Sequence, residues 1–93
     1  MKSIINEIKS EYAKLKSMTV VADEENNVIR LIGCRHCSYD NKATSAQIKY
    51  LKSFDNISYR STSNLMKTNK WFMSACISIA KKYEDVDFTV VVA

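Results

Sequence analysis

The chain has 93 residues, 46% of them hydrophobic and 26% charged, with a formal net charge of +4. That length makes one domain with a modest core, and that apolar share excludes a disordered chain. No apolar run reaches the roughly 20 residues of a membrane span, and the N-terminus MKSIINEIKSEYAKLK mixes charged with apolar residues, unlike a signal peptide, so the expected compartment is the cytoplasm.

Taken in chain order, residues 3–16 predict a helix. Ile4, Ile5, Ile8, Tyr12 and Leu15 recur at the helical period, and Ser3 is placed to cap the start. Residues 19–22 and 28–32 are β-rich runs around a polar, Asn-containing turn, which predicts a hairpin ending at Gly33, the single glycine. Residues 33–43, GCRHCSYDNKA, read as a loop. Thr44-Ser45-Ala46-Gln47 fits a capping box and opens a second helix. Its expected core side carries Ile48, Tyr50, Leu51 and Phe54. Its polar side carries Ser45, Lys49, Lys52 and Ser53. Residues 55–67 are polar and predict a turn or a short helix. The last helix is expected from about residue 69 to residue 83, capped by Thr68, with Phe72, Ala75, Cys76, Ile79 and Tyr83 facing the core. Residues 87–92 predict a strand. It is apolar on both faces, so it is either central in the sheet or paired across a dimer.

The element order is therefore α-β-β-α-α-β, within a single domain spanning 1–93. The expected class is α+β, with a three-stranded, mainly antiparallel sheet and helices packed on one face.

Three cysteines, an odd number, argue for reduced thiols over a disulfide framework. One glycine and no proline exclude Gly-rich phosphate loops, polyproline ligands and flexible linkers. The Lys-over-Arg bias, with common Ile, Asn, Ser and Tyr, is what an AT-rich genome produces. Cys34-Arg35-His36-Cys37 has the spacing of half a zinc site, but no second pair completes it. A redox pair would open a helix, whereas the capping signal comes later, at Thr44. The plain reading is a loop with two reduced thiols. One His and no convergent carboxylates make a thin kit for catalysis. No cofactor and no metal are implied.

Charge is the more informative feature. Residues 1–27 hold four Lys against five acids, residues 28–82 hold ten Lys or Arg against two Asp, and residues 83–93 hold three acids. A central block this basic attracts polyanions and acidic partners. Arg35, Lys42, Lys49, Lys52, Arg60, Lys67, Lys70 and Lys82 are the candidate binding residues. Trp71 joins them, because on a helical wheel it lies with Ser74, Ser78 and Lys82 and away from the Phe72/Ile79/Tyr83 stripe. There it could stack on a base or anchor a protein contact; the plain alternative is peripheral core under residues 55–67. Thr68, Asn69 and the amides of that helix start are a candidate phosphate cradle.

Two resemblances bear on function. The order α-β-β-α-α-β is similar to that of the prokaryotic type of KH domain, a single-stranded nucleic-acid binder. The junction Phe54-Asp55-Asn56-Ile57-Ser58-Tyr59-Arg60 lacks that family's GxxG, so its binding device is not carried over. The stretch 43–52, ATSAQIKYLK, resembles helical segments of small phage-encoded accessory proteins, including anti-defence inhibitors of the anti-CRISPR type. That resemblance implies occlusion of a host machine.

The expectation is a non-enzymatic binding protein, encoded by a phage or mobile element, that inhibits a host protein or ribonucleoprotein complex acting on nucleic acid. The alternatives are a direct RNA- or DNA-binding module and a small zinc protein or enzyme built on Cys34 and Cys37.

Overall fold

The computed structural model describes residues 1–35, 41–60 and 62–93. Helix α1 (Lys2–Glu11) buries Ile5 and Ile8, one turn apart on its inner side. It is shorter than the 3–16 expected, and Met1, not Ser3, stands at its N-cap, without a side-chain cap bond. The chain leaves the helix at Tyr12 and turns through Leu15 N–H to Tyr12 O (3.0 Å) to reach the sheet. Strands β1 (Met18–Asp23) and β2 (Val28–Gly33) pair antiparallel in unbroken register from Met18↔Gly33 to Asp23↔Val28. Asp23 builds the hairpin turn. Its carboxylate accepts from Asn26 N–H (3.2 Å), from Asn26 Nδ2 (3.0 Å) and from Arg30 Nη2 (2.8 Å). Asn27 takes the left-handed conformation, φ 54°, that Asn tolerates in such turns.

Helix α2 (Ser45–Leu51) opens on the expected capping box: Thr44 Oγ1 accepts from Gln47 N–H, and Gln47 Oε1 accepts from Thr44 N–H, both at 3.1 Å. The polar stretch that follows is not merely a turn. It forms a short strand, β3 (Ile57–Tyr59), and then one helical turn, α3 (Thr62–Leu65). Helix α4 (Lys70–Lys82) is capped by Asn69, whose Oδ1 accepts from Phe72 N–H at 2.7 Å. The cap thus falls one residue after the expected Thr68. Strand β4 (Phe88–Val92) closes the chain.

The sheet has four strands in the order β1-β2-β4-β3. The expected three-stranded, mainly antiparallel sheet is corrected on both counts. β4 inserts between β2 and β3 and runs parallel to each, so only the β1 hairpin is antiparallel. The run 57–59 is too short and too polar to announce a strand by periodicity; pairing with β4 fixes it. β4 is central, as one of the two sequence readings required.

Burial alternates strictly along β2 and β4. Ile29, Leu31, Phe88, Val90 and Val92 face the core, while their neighbours are half-buried on the other side. The helices supply the core side. Phe72 of α4 sits against Gly33, where an added Cβ would lie 2.7 Å from the ring. α2 packs along α4, and Lys82 Nζ meets Glu11 Oε2 of α1 at 3.3 Å, so α4 lies between α1 and α2. That central position explains why α4 buries Phe72, Met73, Ala75, Cys76, Ile77, Ile79 and Ala80, more than one stripe of a surface helix.

Candidate functional site: a basic end

Strand direction sorts the charges. β2, β3 and β4 are parallel, so everything that enters them lies at one end of the sheet and everything that leaves them lies at the other. The entering segments carry Glu24 and Glu25 before β2, Asp55 before β3, and Glu84, Asp85 and Asp87 before β4. The leaving segments carry Arg35 after β2 and Arg60 after β3. α4 runs back from β3 to β4, so its start shares the leaving end, with Lys67, Lys70 and Trp71. Backbone bonds strap the approach to α2 onto the same place: Ala43 N–H to Thr68 O (2.9 Å), Lys70 N–H to Asn41 O (2.8 Å), and a bridge between Lys42 and Asn69. Gln47 Nε2 adds a bond to Lys70 O (3.2 Å).

Lys42, Lys67, Lys70 and Trp71 therefore gather from two separate stretches, with Arg35 and Arg60 at the same end. All are exposed, Trp71 by 50%. Lys49 and Lys52 lie on the flank of α2. Together with Ser45, Ile48 and Met66 they line a shallow pocket of about 240 Å³. Lys82 is apart from this group. It pairs with Glu11, and that hydrogen bond, with the charge behind it, raises its pKa. Among the described residues, Lys42, Lys49, Lys67 and Lys70 have no ion-pair partner; the ion pairs formed are Arg30–Asp23 and Lys82–Glu11.

Two further residues belong to this surface. Met66, 50% exposed, faces Lys49 and Lys52, and lay in a stretch whose secondary structure gave no face to assign. Lys16 comes to the same end because β1 is antiparallel to β2. Its neighbour Ser17 accepts from Asn69 Nδ2 at 3.2 Å. Block arithmetic over residues 1–27 hid that lysine among acids that the hairpin carries to the opposite end. Tyr50 is a correction in the other direction. It was expected in the core but is 45% exposed, because it stands two residues, about 200°, from Ile48.

The exposed aromatics are already engaged. Lys70 Nζ lies 5.4 Å from the Trp71 ring centroid, Lys52 Nζ 5.0 Å from that of Tyr59, and Lys81 Nζ 5.0 Å from that of Tyr50. Part of the expected phosphate cradle at the start of α4 is used by the fold. Lys70 N–H is bonded to Asn41 O and Phe72 N–H to the Asn69 cap, and Thr68 and Asn69 are buried. The basic end presents ammonium and guanidinium groups.

The placement of Lys70 works against the dipole of its own helix. Lys70 is the first residue of α4, and neither α2 nor α4 has an acidic residue in its first turn. Cations at helix N-termini oppose the helix dipole. The cation–π contact of Lys70 with Trp71 offsets part of that opposition.

Of the cysteines, Cys34 is half-buried at the end of β2 and Cys76 is enclosed in the core of α4, where burial pushes its thiol pKa far up. Cys37 and His36 lie outside the described residues, so the metal reading of that loop has no geometry here. Among the described residues, no group of three His, Cys, Asp or Glu side chains is placed to share an ion. No helix among them is long and apolar enough to cross a membrane. No family model matches this chain, and neither does any curated protein or solved structure.

Proposed function

We propose that this chain is a non-enzymatic binding protein that docks its basic end, anchored by Trp71, on a nucleic-acid-acting complex of a host cell and inhibits it by occlusion. The observation that carries the reading is the gathering of Lys42, Lys67 and Lys70 around a half-exposed Trp71, with no acidic partner among the described residues. An exposed tryptophan with a lysine over its ring fits an interface anchor. Lys70, placed where it opposes the dipole of α4, supports a role outside folding. The resemblance of residues 43–52 to phage-encoded accessory proteins supplies the inhibitory half of the proposal.

Direct binding to RNA or DNA is the second reading, favoured by the unpaired ammonium groups. Stacking of a base on Trp71 would displace the Lys70 cation–π contact, worth about 0.5–1 kcal/mol at an exposed site. That is why the protein-bound target is placed first.

The test follows Trp71 fluorescence during titration with short single- and double-stranded RNA and DNA at low and moderate salt, beside capture of nucleic-acid-processing complexes from host extract. Free nucleic acid is expected to bind weakly, and capture is expected to fail with Trp71→Ala and with Lys67→Glu/Lys70→Glu. Micromolar binding to free nucleic acid, with a log–log salt slope of about 0.7–0.9 per phosphate, would move the conclusion to the direct-binding module. Binding of both kinds left intact by the charge reversals would sink the proposal.

A further inference from the structure

The far face of the sheet sets the apolar side chains of Val21, Val28, Ile32 and Val91 among polar ones and, among the described residues, carries no helix. Register places Thr19, Val21, Arg30, Ile32, Ser58, Thr89 and Val91 on it together. Val21 is 38% exposed, and Val28, Ile32 and Val91 are half-buried. Parallel strands with near-continuous apolar runs, such as β2 (VIRLIG) and β4 (FTVVV), occur almost only where both faces of the sheet are covered. The helices of this chain cover one.

We propose that a second copy of this chain covers the other, the two sheets packing face to face with their strands antiparallel about a two-fold axis. Two features select a second copy. The face is neutral on its own account: its charged members, Arg30 and Asp23, pair with each other at 2.8 Å, and its hydroxyls Ser58 and Thr89 pair at 2.8 Å. A copy with a net charge of +4 can therefore meet itself there without bringing like charges into contact. The ends of the sheet carry opposite charge, so the antiparallel arrangement sets the acidic end of each copy beside the basic end of its partner. Both basic ends remain open, at opposite extremities of the dimer.

The size of the face sets the strength. Four strands about 4.8 Å apart, each with about five residues rising 3.3 Å, project roughly 300 Å² per copy. A standard interface buries about 800 Å² per partner, so the dimer is weak and forms only at high protein concentration.

Sedimentation equilibrium of the full chain from about 10 µM to about 500 µM tests this. A monomer–dimer equilibrium is expected. Ile32→Lys puts a charge at the centre of the face, and Val21→Lys puts one at an exposed edge position where the fold does not depend on the side chain. Each is expected to weaken association at least about tenfold. Circular dichroism shows whether each variant is folded, and Val21→Lys decides the matter if Ile32→Lys is not. A wild-type chain monomeric at the highest concentration would overturn the proposal, and so would a dimer that survives Val21→Lys unchanged.

Discussion

The two ends of the sheet are built on opposite plans. At the acidic end, polar groups are consumed by the fold. Asn56 Nδ2 lies within 3.1–3.2 Å of three carbonyls, those of Ala80, Tyr83 and Val86, and Asn56 O accepts from Phe88 N–H at 2.8 Å. One side chain thus caps the end of α4 and ties it to the entries of β3 and β4. At the basic end, the backbone groups are equally well satisfied, but the long side chains are not. Lys42, Lys67 and Lys70 have no counter-charge among the described residues, and Trp71 is half in water. Glu24, Glu25, Asp55, Glu84, Asp85 and Asp87 at the acidic end are equally exposed and belong to neither ion pair among the described residues, so the ends differ not in unpaired charge but in the Asn56 tie at one and the half-exposed Trp71 at the other.

The sharpest way to break that comparison is to attack the Asn56 tie. Asn56→Asp replaces a donor by a carboxylate facing three carbonyl oxygens. Loss of a half-buried donor costs about 1–3 kcal/mol, and charge repulsion brings the expected total to about 3 kcal/mol. For a domain of this size that lowers Tm by about 12–24 °C, read by thermal unfolding. Next in size is Gly33→Ala. The added Cβ would meet three atoms of the Phe72 ring at 2.7–2.9 Å, so the α4–sheet contact must open. Overpacking of this kind costs about 1–3 kcal/mol. The double variant Gly33→Ala/Phe72→Leu is expected to recover part of that loss, which a defect of backbone conformation would not show; Gly33 has no positive φ.

How far the sequence revealed these two plans depends on the kind of signal. The hairpin, the Thr44 capping box and the helix across residues 70–82 were legible because their cues are local: alternation, cap spacing and a 3.6-residue period. Trp71 was placed on the outside by the same period, and it is outside. What escaped was everything set by strand pairing. β3 has three residues and no pattern of its own; only its alignment with β4 makes it a strand. The polarity of the molecule escaped for the same reason. Blocks of charge are visible along the chain, but their sorting into two ends follows from β2, β3 and β4 being parallel, which no local cue announces.

The basic end gives a smaller effect of opposite sign. Lys70→Glu replaces a cation at the first position of α4 by an anion, in a first turn with no acidic residue. In a Trp71→Ala background, where the cation–π contact with Lys70 is already gone, the helix dipole then works with the side chain, stabilising the fold by about 0.5 kcal/mol and raising Tm by about 2–4 °C; with Trp71 present, loss of that contact, about 0.5–1 kcal/mol, cancels the gain. Binding of the partner is expected to fall in the Lys70→Glu single variant. A residue that opposes its own helix dipole and strengthens recognition is the signature that distinguishes the basic end. If Lys70→Glu lowers Tm in the Trp71→Ala background instead, the lysine is structural and the comparison fails there.

The smallest effect lies in the hairpin turn at the acidic end. The Asn26 side chain and backbone, then Arg30, hold the Asp23 carboxyl below its ordinary value of 3.8. A group whose pKa is lowered by folding contributes stability that is fully present above its unfolded pKa and is lost as pH falls through the folded one. Between pH 5 and 8, Asp23 is ionised in both states, so it adds no slope to stability there. The loss begins only near pH 4 and completes below the folded pKa. Its partners Asn26 and Arg30 are open to water, so screening keeps the effect small. A carbon-detected NMR titration is expected to place the Asp23 midpoint below its ordinary value of 3.8. Arg30→Gln is expected to move that midpoint upward only part of the way, because the two Asn26 bonds remain. A midpoint unchanged by Arg30→Gln would assign the whole shift to the turn and leave the Arg30 ion pair without a measurable role in it.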